Sequence, residues 1–246
     1  MLILLPPSEG KSAPASGEPL DLDSLAFAAE LGERRERLLD ALERLPKLSV
    51  KRATLQLGIS KGQVGEIEVN AGLRSAPAAP AAEVYSGVLY DHLDLAGLSA
   101  RAQSRVLIAS ALWGVVRPAD RIPYYRFSAK ARLPKIGSLA AWWRQALTAA
   151  LPDEPGELIV DMRSGAYAAA WKPKQATLLA VRAFSESDGK RRPVSHMAKA
   201  VRGDVARALL RARRVPKSPE SAAAIAAAAG FEVELSGPNL DVIVRD

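Results

Sequence analysis

Apolar residues recur along this chain in two rhythms, short continuous runs and helical spacings. Leu2 to Leu5 is a continuous run stopped by Pro6-Pro7, which predicts a buried first strand. Ser8 to Pro19 is rich in Pro, Gly and Ser and predicts a loop. From Leu25 to Leu45 apolar residues fall at helical spacing, and Pro46 ends the pattern. Ser75 to Pro80 is the best candidate for an internal linker. Arg105 to Ala109 and Leu158 to Met162 are runs of buried-strand type, each followed by a polar loop. Thr177 to Phe184 is a further strand, with turn residues from Glu186 to Lys190 behind it. Val194 to Arg214 carries the clearest helical pattern. Its apolar stripe is Val194, Met197, Val201, Val205, Ala208 and Ala212, and His196, Lys199, Gly203, Arg207 and Arg214 cluster opposite. Ala222 to Ala229 predicts a short helix capped by Gly230. Phe231 to Leu235 and Leu240 to Val244 alternate across Ser236-Gly-Pro-Asn239 and predict a terminal hairpin. The order predicts an α/β (mixed α+β) fold. It would be one compact domain over residues 1–246, a mixed sheet flanked by helices, with a helical insertion within residues 20–80.

Composition narrows the classes. Hydrophobic residues make up 48% of the 246 and charged residues 25%, the mix of a globular protein, so disorder is excluded as the dominant state. No apolar run approaches the roughly 20 residues of a membrane helix. Met1 to Leu5 lacks the basic flank of a signal peptide, and a cytoplasmic location is expected. The absence of Cys excludes disulfides, thiolate metal sites and thiol nucleophiles. With only His92 and His196, a His-rich metal site is excluded too, and no metal or cofactor is expected.

Charge changes the picture more. The net charge is +7, yet Glu186 to Lys217 alone holds ten Lys/Arg against three Asp/Glu, so the rest of the chain is neutral. A local basic block points to an anionic partner such as nucleic acid, nucleotide or acidic lipid, although a solvated helix face carries the same pattern.

Five segments carry candidate chemistry. Leu5-Pro-Pro-Ser-Glu-Gly-Lys11 leaves a buried strand, where α/β folds place ligands, and Ser8 and Lys11 suit a phosphate. It lacks the Walker A frame, and a Pro-stiffened loop explains it equally. Ser110 to Asp120, followed by Ile122-Pro-Tyr-Tyr-Arg126, has Arg117 and Arg126 to clamp an anion and Trp113 or Tyr125 to stack a base. The alternative puts Trp113 in the core and pairs Arg117 with Asp120. Val160 to Tyr167 offers Asp161, Arg163, Ser164 and Tyr167 in the same form, with Ser164 equally suited to be a helix N-cap. In Val194 to Gly203, His196, Lys199 and Arg202 form a polar ridge at the border of the apolar stripe. Like charge beside His196 favours a neutral imidazole able to accept a proton. Leu57-Gly-Ile-Ser-Lys-Gly62 resembles the hairpin of helix-hairpin-helix modules, with Ser60 in the second Gly position. A turn between two short helices is the plainer reading.

Taken in order, these motifs resemble the YaaA family of peroxide-stress resistance proteins. The carrying residues are Leu5 to Lys11, Val84-Tyr-Ser-Gly87, Trp113-Gly-Val-Val-Arg-Pro118, Pro123 with Tyr125-Arg126, Arg163-Ser-Gly-Ala-Tyr167, and Ser195-His-Met-Ala-Lys199 with Arg202-Gly203. The resemblance spans the chain. It implies a single α/β domain with a helix-hairpin-helix element near residues 50–72 and a positively charged cleft. It also implies binding to double-stranded DNA and a role in limiting iron-driven oxidative damage.

Two readings follow, and the sequence leaves both open. In the first, duplex DNA is held by Gly58, Ser60, Lys61, Arg207, Arg211 and Arg214. In the second, an enzyme acts on a small anionic, nucleotide-like ligand held by Ser8, Lys11, Arg117, Tyr125, Arg126, Arg163, Ser164, Tyr167, Lys199 and Arg202, with Glu9 or His196 as proton acceptor. A direct iron site from Glu9, Asp161 and His196 is opposed by the cationic surroundings.

Overall fold

The computed structural model describes residues 1–187, 190–193 and 197–245. Its centre is the apolar run β1 (Leu2–Leu5), with Ile3, Leu4 and Leu5 all buried. A strand buried on both faces needs parallel neighbours supplied by long crossovers, and β1 has two: β3 (Val106–Ser110) on one side and β6 (Leu158–Asp161) on the other. Outward from β6 come β7 (Thr177–Ser187) and then β10 (Asn239–Val244), both parallel to their inner neighbours. Antiparallel strands finish the sheet. β4 (Gly114–Val116) lies on β3, β9 (Glu232–Ser236) on β10, and β8 (Lys190–Pro193) on the far part of β7. A separate antiparallel pair joins β2 (Ala78–Pro80) to β5 (Arg121–Pro123). This is a single mixed α/β domain with a mostly parallel sheet flanked by helices.

The periodic segment after residue 25 forms α1 (Ala28–Glu43), followed by one 3-10 turn at Leu45–Lys47 that contains Pro46. Its buried face is Leu31, Arg35, Leu38, Leu39 and Leu42, a helical repeat with one cation in it. Fully buried Arg35 donates to the carbonyls of Trp113 (3.1 Å), Val115 (3.0 Å) and Ala26 (2.8 Å). It thereby supplies partners to the edge of β4, the end strand of the sheet. Burial pushes its guanidinium down to about 10.

After α1 come α2 (Val50–Leu57) and α3 (Glu66–Ala71), then α4 (Ala81–Val84), α5 (Val88–Leu93) and α6 (Ala100–Gln103) before β3. α7 (Leu139–Ala150) packs on α1 and β4, and its Trp143 indole donates to the Ala111 carbonyl at 2.8 Å. α8 (Gly165–Ala168) follows β6. α9 (Met197–Arg211) packs on α5, β7 and α10 (Pro219–Ala228).

Three expectations change. Ser75 to Pro80 is not a linker. Its second half is β2, and Ala78 is wholly buried, because Ala side chains are small enough to pack and Pro80 sits where a strand end needs no donor. The helical stripe on α9 is rotated: Met197 is 52% exposed, while Ala198, Val201, Gly203, Val205, Ala206, Leu209 and Leu210 are buried. The helix buries two flanks, one toward β7 and one toward α5. A Cβ on Gly203 would collide with the Leu89 carbonyl oxygen, so the glycine is what permits the α5 approach. The helix also stops at Arg211, and Lys190 to Arg192 lie in a strand, so the basic block is divided among three structural contexts. Arg191 within it is bonded to Glu186 (2.8 Å) and Glu234 (2.7 Å).

The predicted terminal hairpin forms as β9 and β10. Alternation fails in β10, whose Leu240 to Ile243 are all buried because it is an interior strand. No helix among the described residues is long and apolar enough to cross a membrane.

Candidate functional site at the strand switch

In the order β3-β1-β6-β7, the chain first builds outward from β1 on one side and then returns to build on the other. The loops leaving β1 and β6 therefore diverge at their C-terminal ends and open a crevice between them. Two of the predicted motifs emerge there, Pro6 to Lys11 and Met162 to Tyr167.

The first loop is stitched to the segment before α5. The Ser86 amide donates to Ser8 Oγ (3.2 Å) and to the Gly10 carbonyl (3.3 Å), the Ser12 amide donates to the Val84 carbonyl (2.8 Å), and Lys11 bridges Tyr85. Ser8 Oγ donates in turn to the Gly10 carbonyl. This places Lys11 over a set of buried tyrosines. Its Nζ lies 4.4 Å from the Tyr125 ring centroid and 5.5 Å from that of Tyr85, and it donates to the Ser8 carbonyl at 2.8 Å. Burial, then the Arg126 charge, pushes the Lys11 ammonium from 10.5 down to about 8, with Glu9 and Glu66 opposing.

Beneath Lys11 runs a hydroxyl chain. Tyr125 Oη is 2.7 Å from Tyr85 Oη and 2.8 Å from Ser110 Oγ. Ser110 Oγ already accepts the amides of Leu112 (3.2 Å) and Trp113 (3.0 Å), which fills both its lone pairs. Its own proton therefore goes to Tyr125, and the Tyr125 proton goes to Tyr85. The chain leaves the Tyr85 hydroxyl as a donor. Burial raises all three tyrosines, Tyr85, Tyr90 and Tyr125, so they stay neutral. Tyr90 stacks on Tyr85 and donates to the Pro6 carbonyl at 2.7 Å.

Arg126 is set by the helical insertion. Its amide and carbonyl both bond to the buried Asn70 side chain of α3, at 3.0 and 2.7 Å, and its guanidinium reaches the Glu9 carbonyl at 2.9 Å. Tyr167, half-buried, is within electrostatic reach of Glu9, Tyr85 and Tyr125, and burial raises its hydroxyl. Ser8, Glu9, Lys11, Tyr125, Arg126 and Tyr167 thus share one locality.

Other predicted site residues do not join it in the expected role. Arg163 is buried and forks onto Asp161 (2.9 and 2.8 Å), with a further bond to the Trp171 carbonyl at 2.9 Å. Its donors are occupied internally. Ser164 stands at the N-cap of α8 without a side-chain cap bond and is exposed. Arg117 follows β4, which runs back antiparallel to β3, and so is carried away from the crevice to the Phe27 ring, 5.6 Å away. Asp120 does not pair with its side chain; it accepts the amides of Arg117 and Ala26 at 2.9 and 3.0 Å. Arg202 donates to the Val181 carbonyl at 3.1 Å with Asp161 nearby, and burial lowers its guanidinium. Lys199 is exposed on the first turn of α9. His196 lies outside the described residues.

The Leu57 to Gly62 turn connects α2 to a 3-10 turn at Lys61–Gln63. Gly58 has φ +65°, and the amides of Gly58 and Ile59 close back on Leu55 and Thr54 at 3.3 and 3.1 Å, a Schellman cap. Those two amides are therefore spent within the chain. Ser60 and Gln63 form a capping box. Arg207 and Arg211 approach Asp94 at 3.3 and 4.0 Å, while Arg214 is exposed beyond the helix end.

Ser110 opens a candidate segment but, like Tyr90 and Asn70, is given no role of its own by the sequence motifs. A Ser ending an otherwise apolar strand was a readable signal for the first; the other two had none. Among the described residues no group of three or more His, Asp or Glu is placed to hold a metal ion.

These observations define a class: an α/β protein with a cluster of lysine, tyrosine and arginine side chains at the switch point of a mostly parallel sheet. The chain belongs to the family described as peroxide stress protein YaaA, whose profile matches residues 1–235. It is 42% identical to the UPF0246 protein SCO2297 of Streptomyces coelicolor, covering 100% of this chain and 99% of that one. It is 40% identical to the UPF0246 protein Cgl1995/cg2186 of Corynebacterium glutamicum (97% and 96% covered) and 31% identical to the UPF0246 protein Shewmr4_2963 of a Shewanella species (100% and 99%).

Proposed function

We propose that this protein acts in the cytoplasmic peroxide stress response by binding duplex DNA along a basic surface that runs from the switch-point cleft to the α2–α3 hairpin, shielding the duplex from iron-driven damage. The supporting observation is the segment Tyr124–Arg132, which belongs to both regions. It supplies Tyr125 and Arg126 to the cleft. Further along, its Lys130 backbone lies 3.4 Å from where a Gly58 Cβ would be, and the Arg132 amide donates to Gln56 at 2.7 Å. Lys61, Lys130 and Arg132 are exposed along that path, with no ion pair to a described residue. Since Gly58 and Ile59 have no free amide, side-chain cations carry the phosphate contacts in this reading.

Fluorescence anisotropy with a labelled duplex tests it. Lys61→Glu with Lys130→Glu should weaken every sequence alike and reduce the salt slope by about two, one for each phosphate lost. Arg207→Glu with Arg211→Glu should weaken binding less, since both already face Asp94. Plasmid nicking by ferrous iron and peroxide should rise in step with lost binding. Unchanged affinity and slope in the Lys61/Lys130 variant would remove the hairpin path. The second reading would then lead: an enzyme on a nucleotide or nucleobase, favoured by a lysine brought to about 8 above a directed hydroxyl chain.

A further inference from the structure

At the opposite edge of the sheet the structure holds a recess of about 400 Å³ between α6 and the end of α9. That is within the range of small-ligand pockets. Arg101, Arg105, Arg211 and Arg213 all line it, together with Ser99 and Leu210, and no carboxylate does among the described residues. Arg211 lies 4.0 Å from Asp94, and the other three guanidiniums around this concave space repel one another unless an anion enters. Arg105 carries the clearest sign of this. It precedes β3, and its Nη2 donates to the Leu210 carbonyl at the C-terminal end of α9, at 2.6 Å. Its Nε and Nη1 are buried with no acceptor among the described residues. Buried donors left so are costly, and that cost is removed when a small rotation of the fork meets an acceptor in the recess. Burial and the Arg101 charge both lower this guanidinium, as crowding of like charge requires.

We propose that this recess binds a small molecule carrying two or more phosphate charges. Arginine forks match phosphate oxygens in pairs, and four of them in one recess exceed the single charge of a backbone phosphodiester. The recess and the switch-point cleft lie at opposite ends of β3, roughly 15 Å apart for a five-residue strand. They share no lining residue.

Titration calorimetry with inorganic pyrophosphate is the test. Wild-type protein should give a saturable one-to-one isotherm that weakens as salt rises. Arg101→Gln with Arg213→Gln, both exposed and free of hydrogen bonds to described residues, should bind about tenfold or more weakly at an unchanged melting temperature. Arg126→Gln, in the cleft, should bind as wild type does. No saturable binding overturns the proposal, as does equal affinity in the double variant. Loss in Arg126→Gln would place pyrophosphate in the cleft and also overturn it. If pyrophosphate fails while the double variant weakens duplex binding, the recess is a nucleic-acid surface, and the small-molecule site is again overturned. Failure of duplex binding alone, with pyrophosphate retained, would count against the DNA reading and leave this site standing.

Discussion

The switch-point cluster and the turn after α2 share the segment Tyr124–Arg132, yet they are held by different means. Cleft residues are fixed by buried polar pairs: Asp161 with Arg163, Ser110 with Tyr125 and Tyr85, Asn70 with the Arg126 backbone. Hairpin residues are fixed by local backbone closure, the Schellman bonds of Gly58 and Ile59 and the Ser60/Gln63 box, while Leu55 stands 76% exposed. Buried pairs are costly to break because the surviving partner stays out of water; local turns are cheap because water replaces what is lost. A rigid cleft beside a locally closed turn therefore responds unequally to substitution.

Asp161→Ala should break the cleft side hardest. It strands Arg163 as a buried, unpaired cation and should cost about 3–5 kcal/mol in denaturant unfolding. A loss under 1 kcal/mol would mean that water already reaches this pair. On the hairpin side the largest effect should come from Gly58→Val. A β-branched residue at φ +65°, with Cβ 3.3 Å from Lys130 Cβ, should cost about 1–3 kcal/mol. That variant is thus a structural one, and loss of duplex binding in it would not by itself place DNA at the turn.

Tyr125→Phe sharpens the contrast. It removes the central hydroxyl of the chain and should cost about 1–2 kcal/mol with the rings still packed. A double-mutant cycle with Tyr85→Phe should show coupling between the two; strict additivity would argue against the directed chain. The same cleft should carry a pH signature. With Lys11 at about 8 when folded and 10.5 when unfolded, the unfolded chain binds more protons between those values. Its contribution to stability should therefore rise as pH increases through about 8 to 10.5. Lys11→Met should remove that rise. Lysine acylation followed by mass spectrometry should show Lys11 becoming reactive with a midpoint near 8. The smallest effect belongs to Leu55→Ala, at 76% exposure, which should stay within about 0.5 kcal/mol.

Much of the frame was legible along the chain. Strand β1, helix α1 with its Pro46 stop, β6, β7, α10 and the terminal hairpin all follow from local periodicity, Pro and Gly placement and capping, properties that act over a few residues. The motifs after β1 and β6 were legible as site material for the same reason, since polar residues directly after a buried strand must face an edge of the sheet. What chain order could not convey was which neighbours those segments meet. Ala78 is buried only because β5 comes to pair with β2. Arg117 leaves the crevice only because β4 turns back along β3, and Arg163 is occupied because Asp161 is two residues away on a strand that buries them both. The α9 stripe was misplaced because that helix packs on two sides, a fact held in Gly203 and the Leu89 carbonyl rather than in its own periodicity. The apolar rhythm decides which residues leave water. Which polar groups then pair inside is decided by distances between segments tens of residues apart, and those distances exist only in the folded chain.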